Sequence, residues 1–201
     1  LEPRGAPLAH LVAEVGRRAF ADRAEFLGDS GHHPVPVQAL LAPEYLRRRA
    51  RGIDPVVAAG SDRVGPGRLE PGETTHFSVA DGEGNAVSTT VSLNYTFGTG
   101  KGIPELGILL NNHMNDFSIR PGYPNLYGLV GSEANAIAPG KRPLSSMSPT
   151  IVLRDGEPAY ALGSRGGPRI ISAVLWTILG LVDFDLDLTR AVAHPRTHHQ
   201  W

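Results

Sequence analysis

Residues 73–94 read ETTHFSVADGEGNAVSTTVSLN. Apolar and polar residues alternate on both sides of GEGN, and two such runs around a glycine-rich turn predict an antiparallel hairpin. The signature returns at 150–163, where TIVLR and AYALG flank DGEP. After GSRGGPR at 163–169 comes IISAVLWTILGLV at 170–182, an almost wholly apolar run that predicts a helix buried against a sheet. DLDLTRAVAH at 185–194 predicts a shorter helix opened by Asp187 or its neighbours.

Upstream of the hairpin the texture is helical. Leu8, Leu11, Val12, Val15 and Ala19 recur at spacings of three and four, an amphipathic helix over residues 6–23. LLAPEYLRRRARG at 40–52 predicts a second, with Pro43 in the first turn, arginines in the last and Gly52 as its stop. Residues 60–73, rich in glycine and proline and without periodicity, read as an exposed linker. Residues 98–143 are loop-like apart from GILL at 107–110, and a loop-rich stretch of that length marks a functional or disordered segment. The fold class predicted is α+β: helices before the linker, antiparallel strands after it, then helices covering the sheet.

Composition narrows the function. The 201 residues are 41% hydrophobic and carry 19 Lys and Arg against 20 acids, which removes the basic footprint of a nucleic-acid binder and favours a small-molecule or protein partner. The absence of cysteine excludes disulfides, thiolate metal sites and a cysteine nucleophile. No apolar run approaches the roughly 18 residues of a membrane helix. The chain opens at Leu1 and ends in HHQW, and reads as part of a longer or processed polypeptide.

Simple catalytic signatures are missing: no GxSxG elbow, HExxH helix, Walker loop or dinucleotide fingerprint occurs. GTGKG at 98–102 lacks the setting of a phosphate loop and reads as a turn. HPRTHH at 194–199 has no carboxylate at ligand spacing, and Pro195 interrupts any helix that would align its histidines, so no metal is expected. GSRGG stands between a predicted strand and a helix, where backbone N–H groups can converge on a negative oxygen or merely start the helix. The serines of RPLSSMSP at 142–149 can bond backbone or bind a carboxylate.

Thr74 and Thr75 stand where the linker meets the strand, and three readings compete. They can be ordinary strand formers, or a modification site, or Thr74 can be a nucleophile exposed by cleavage after Glu73. A threonine hydroxyl needs a base, and a freed α-amino group, of pKa about 8, is one carried on the same residue.

TTHFSVAD, LNYTFGTG, GILLNNHMNDFS, NLYGLVG, KRPLSSMSPTIV, GSRGG and HHQW, in this order, resemble the small subunit of gamma-glutamyltransferases, also called glutathione hydrolases. ADRAEFLGD at 21–29 resembles the end of their large subunit. The resemblance implies an N-terminal nucleophile hydrolase with a four-layer αββα sandwich, here partial, and favours the third reading. It implies a self-cleaved heterodimer, with 1–73 from the large subunit and 74–201 from the small, and no cofactor. Glutathione or another γ-glutamyl compound would be the donor, and water, an amino acid or a peptide the acceptor.

By the same resemblance Thr74 is the nucleophile, Ser92 its supporting hydroxyl, and Gly166 and Gly167 the oxyanion-hole residues. Asn94 and Asp116 match positions holding the substrate α-amino group, Ser145 and Ser146 the pair for its α-carboxylate, and Tyr127 falls in a lid loop. His113 stands where many members have glutamine, which puts a titratable ring beside the substrate amine. Arg165 places a charge just before the oxyanion glycines. Members are often periplasmic or secreted. A glutaryl (cephalosporin) acylase of the same fold, and a truncated non-catalytic paralogue, are the alternatives.

Overall fold

Helix α1, Ala6–Phe26, carries a proline in its first turn and buries Leu8, Phe20 and Ala24. It also buries Glu14, only 1% exposed, which accepts hydrogen bonds from Arg18 at 2.7 Å, Arg17 at 3.3 Å and the amide of Ala59 at 3.1 Å. Burial pushes the Glu14 carboxyl up, but the bonds from Arg18 and Ala59 and the charge of Arg17 outweigh it and hold the group below its ordinary range. A computed structural model describes residues 2–3, 5–60 and 74–200, so most of the predicted linker lies outside the described residues.

The described residues fall into two units that do not follow chain order. The first comprises residues 2–3, 5–60, 114–144 and 197–200; the second comprises 74–113 and 145–196.

In the first unit α1 is followed by a single turn, α2 (Val37–Leu40), and by α3 (Pro43–Arg51). Pro43 starts α3, Arg48, Arg49 and Arg51 sit in its last turn against the negative helix end, and Gly52 caps it, all as predicted. Arg49 ties α3 to α1 through Asp22 at 2.9 Å and the Arg18 carbonyl at 2.7 Å. Residues 114–144 dock on the end of α1 with little regular structure. The Ser132 amide and hydroxyl donate to the carbonyls of Ala24 and Glu25 at 3.0 and 2.8 Å. A Cβ at Gly28 would overlap the carbonyl of Ala134, so only glycine permits this approach. Arg142 forks onto Asp29 through its side chain, at 2.7 and 3.2 Å, and adds its amide at 3.0 Å. Phe117, Tyr127 and Ala134 are buried.

The second unit contains the predicted hairpins. β1 (Thr74–Ala80) pairs antiparallel with β2 (Ala86–Ser92), in the register Thr74 to Ser92, His76 to Thr90 and Ser78 to Ser88. Asp81 shapes the turn by accepting the amides of Glu83 and Asn85, both at 2.9 Å. The loop-like stretch contains a small unpredicted hairpin, β3 (Gly102–Ile103) with β4 (Ile108–Leu109). β5 (Thr150–Arg154) pairs with β6 (Glu157–Leu162) around Asp155 and Gly156, whose φ values of 54° and 89° suit a two-residue turn. That turn is shorter than DGEP: Glu157 and Pro158 belong to β6, and the register shifts between Val152 and Leu153, next to a proline that cannot donate to the ladder.

α4, Arg169–Val182, buries Ile170, Val174, Trp176 and Leu181. α5, Leu188–Ala193, is capped by Asp187, whose carboxylate accepts the amide of Arg190 at 2.9 Å. Among the described residues no helix is long and apolar enough to cross a membrane.

The hydrogen bonds from Arg142 hold the Asp29 carboxyl well below the usual carboxylate range. A carboxylate depressed on folding stabilises the fold above its unfolded pKa and loses that contribution as pH falls toward its folded value. Asp29→Asn therefore lowers the thermal midpoint of the intact protein at pH 7, and the gap to wild type narrows as pH drops below about 4. Unfolding followed at several pH values checks this.

Candidate active site

A strand residue has two directions available, and β1 divides its side chains accordingly. Phe77 and Val79 share the exposed face with Val87 and Val91 of β2. Thr74, His76 and Ser78 share the other face with Ser92, Thr90 and Ser88. Six hydrogen-bonding side chains thus line one surface, with Thr74 at its end and buried.

Thr74 Oγ1 lies 3.2 Å from Ser92 Oγ, which also accepts the amide of Asn94 at 2.8 Å. Asn94 adopts φ 76°, a left-handed conformation that asparagine tolerates better than most residues. It is buried, and its side-chain amide donates to the Asn112 carbonyl at 3.3 Å. Asn112 closes the loop from the other side: its amide donates to Leu93 at 3.1 Å and its Oδ1 accepts the amide of Tyr95 at 3.0 Å. His113 places Nε2 3.1 Å from the Ser92 carbonyl. A carbonyl only accepts, so Nε2 carries the proton. Thr74, Ser92, Asn94 and His113 therefore form one bonded cluster.

The glycines of GSRGG stand at the start of α4. Gly166 and Gly167 have φ 125° and 56°, and their carbonyls accept the amides of Arg169 and Ile170, each at 3.1 Å. Their own amides donate to no backbone carbonyl among the described residues, the condition for presenting N–H groups to an oxyanion. Arg165 is exposed, and its carbonyl accepts the Ser164 hydroxyl at 3.0 Å. Ser145 and Ser146 precede β5 in the same unit; Ser145 Oγ accepts the amide of Met147 at 3.0 Å, and the Ser146 carbonyl accepts Ser148 Oγ at 3.2 Å.

Asp116 and Tyr127 belong to the first unit. The Asp116 carbonyl accepts the Asn135 side chain at 2.8 Å, and Asp116 lines a small pocket with Arg23 and Asn125. Burial lowers the Arg23 guanidinium to about 10, while the charge of Asp116 acts in the opposite sense. Tyr127 is 4% exposed, and its carbonyl accepts Gln200 Nε2 at 2.8 Å.

Among the described residues no group of three or more His, Cys, Asp or Glu could hold a metal ion. His194 belongs to the second unit, where it stacks on Trp176 at 5.7 Å, and His198 belongs to the first, where it meets Phe20 edge-on.

Sequence reasoning passed over Asn112 and His76. The doublet at 111–112 was the signal for the first; the two-residue spacing from Thr74 was the signal for the second.

The chain is similar to known proteins over its whole length. It is 49% identical over 200 residues to the glutathione hydrolase proenzyme of Pseudomonas aeruginosa, covering 100% of this chain and 36% of that protein. It thus spans about a third of the length of this curated relative. A crystal structure of a Helicobacter pylori gamma-glutamyltranspeptidase variant superposes with a TM-score of 0.62 at 55% identity, over 63% of this chain and 68% of that one. Cephalosporin acylase from Bacillus halodurans superposes with a TM-score of 0.72 at 27% identity, over 92% of this chain and 31% of that one. These neighbours bear out the α+β class of N-terminal nucleophile hydrolase type. A family model described as gamma-glutamyltranspeptidase matches residues 2–201, and the chain belongs to that family.

Proposed function

We propose that this chain carries the processing site and much of the catalytic apparatus of an N-terminal threonine hydrolase acting on γ-glutamyl amides. The observation that carries the reading is the buried Thr74 hydroxyl 3.2 Å from Ser92 Oγ, on the first residue of a strand that follows a glycine- and proline-rich run.

In maturation the Thr74 hydroxyl attacks the Glu73 carbonyl, the peptide C–N bond breaks, and the acyl group passes to Oγ1. Water then hydrolyses that ester, leaving a carboxylate on Glu73 and a free α-amine on Thr74. In turnover this amine takes the hydroxyl proton as Oγ1 attacks the γ-carbonyl of the donor. The tetrahedral oxyanion lies against the amides of Gly166 and Gly167, and the leaving amine departs with the proton. Water or the amine of an amino acid or peptide then cleaves the γ-glutamyl ester, so hydrolysis and transfer share one intermediate.

Ser145 and Ser146 take the donor α-carboxylate, and Asn94 and Asp116 its α-ammonium. His113, holding the Ser92 carbonyl, borders that amine, and Tyr127 falls in the family's lid loop. Residues 1–73 and 74–201 then belong to the large and small subunits. The first unit draws residues from both sides of position 74, which supports products that stay associated. A periplasmic or secreted location fits the family.

Two experiments on the intact protein test the reading. Thr74→Ala leaves a single uncleaved chain on denaturing gels and no turnover; wild-type protein with an intact 73–74 bond under maturation conditions would sink the proposal. Assay of γ-glutamyl against glutaryl anilide separates hydrolase from acylase. Asp116→Asn raises KM for the γ-glutamyl donor by about ten- to a hundredfold, the loss of one charge-assisted bond, and leaves KM for a glutaryl compound unchanged. Cleavage of the glutaryl compound alone would assign the acylase reaction.

A further inference from the structure

The polar face of the β1–β2 hairpin reaches past the nucleophile. Ser78 Oγ donates its one proton to the carbonyl of Ala161 at 3.0 Å, and Ser88 Oγ donates to that of Leu162 at 2.9 Å while accepting the amide of Thr150 at 3.1 Å. The last two carbonyls of β6 are therefore held by serines of the strand pair that carries Thr74. The next residue is Gly163, where a Cβ would overlap the imidazole of His76. Glycine at 163 lets the backbone lie directly on that ring, three residues before Gly166.

The hydrogen bonds also fix the orientation of the His76 ring. With the Ser78 proton committed to Ala161, Ser78 Oγ accepts from His76 Nε2 at 3.2 Å. Nδ1 lies 2.9 Å from Thr90 Oγ1, a hydroxyl that can donate or accept. A hydrogen-bonded chain runs from Thr90 through His76 and Ser78 to the Ala161 carbonyl. His76 is also two residues from Thr74 on the same face of the same strand.

We propose that His76 is a positioning residue for the catalysed reaction: it sets the loop beginning at Gly163, and with it the amides of Gly166 and Gly167, relative to Thr74. This rests on the assignment of those amides to the oxyanion hole. Oxyanion donors act on the transition state and little on the bound substrate, so misplacing them lowers kcat and spares KM.

The test uses the intact protein with isotope-labelled glycine. In His76→Ala the amide resonances of Gly166 and Gly167 move, and kcat per titrated active site falls by about ten- to a hundredfold with donor KM within about twofold. His76→Gln, whose amide can still donate toward Ser78, recovers part of the loss. Should His76→Ala not fold, Ser78→Ala cuts the same chain at an exposed position and gives a smaller loss in the same direction. Unmoved glycine resonances with kcat within about twofold of wild type overturn the proposal, as does a rise in KM at constant kcat. If wild-type protein cleaves no γ-glutamyl substrate, the functional reading fails, and the glycine resonances still decide whether His76 places the loop.

Discussion

Hydroxyl and imidazole groups facing protein must each find a hydrogen-bond partner, and in the second unit that constraint organises the candidate site. The β1–β2 hairpin turns Thr74, His76, Ser78, Ser88, Thr90 and Ser92 to one side. Apolar side chains there would pack in many ways, but these groups accept only positions that pair donors with acceptors. Ser92 lies beside Thr74, Ser78 and Ser88 take the end of β6, and His76 bridges the row. The register of one strand pair thus sets both the place of Thr74 and the start of the glycine loop.

The opposite face tells the complementary story. Phe77, Val79, Val87 and Val91 are between 48% and 55% exposed, so the apolar side of the hairpin is only half covered. Ordinary alternation puts apolar residues inward, and the inversion here explains why Thr74 and its neighbours look from sequence like the solvent face of a strand.

Much of the architecture was legible because it obeys local rules. Pro43 and Gly52 bracket α3, Asp187 caps α5, and the two hairpins follow their turn residues. What was illegible was non-local. Glu14 reads as a surface residue of an amphipathic helix until Arg17, Arg18 and the amide of Ala59 close on it. Asp29 gives no sign of its partner 113 residues away. The cluster around Asn94 depends on a strained backbone held from the 112 loop, which no periodicity encodes. The small β3–β4 hairpin has two residues per strand, too few for a pattern to register. Thr74 and Ser92 were both singled out through their motif context, whereas the 3.2 Å contact between their hydroxyls follows from the register of the hairpin.

The interleaving of the first unit bears on the order of events in the life of the chain. Residues before and after position 74 meet there through Asp29 with Arg142 and through Ser132 with the end of α1. While the backbone is continuous, bringing them together is loop closure, whose entropic cost grows only slowly with loop length. Under the proposed cut at 73–74, the same encounter would become a bimolecular association and lose translational and rotational freedom as well. With the proposed cleavage, a protein built this way would fold first and be cut second. Denatured after the cut, it has to reassemble from two strangers, and its recovery becomes a matter of concentration.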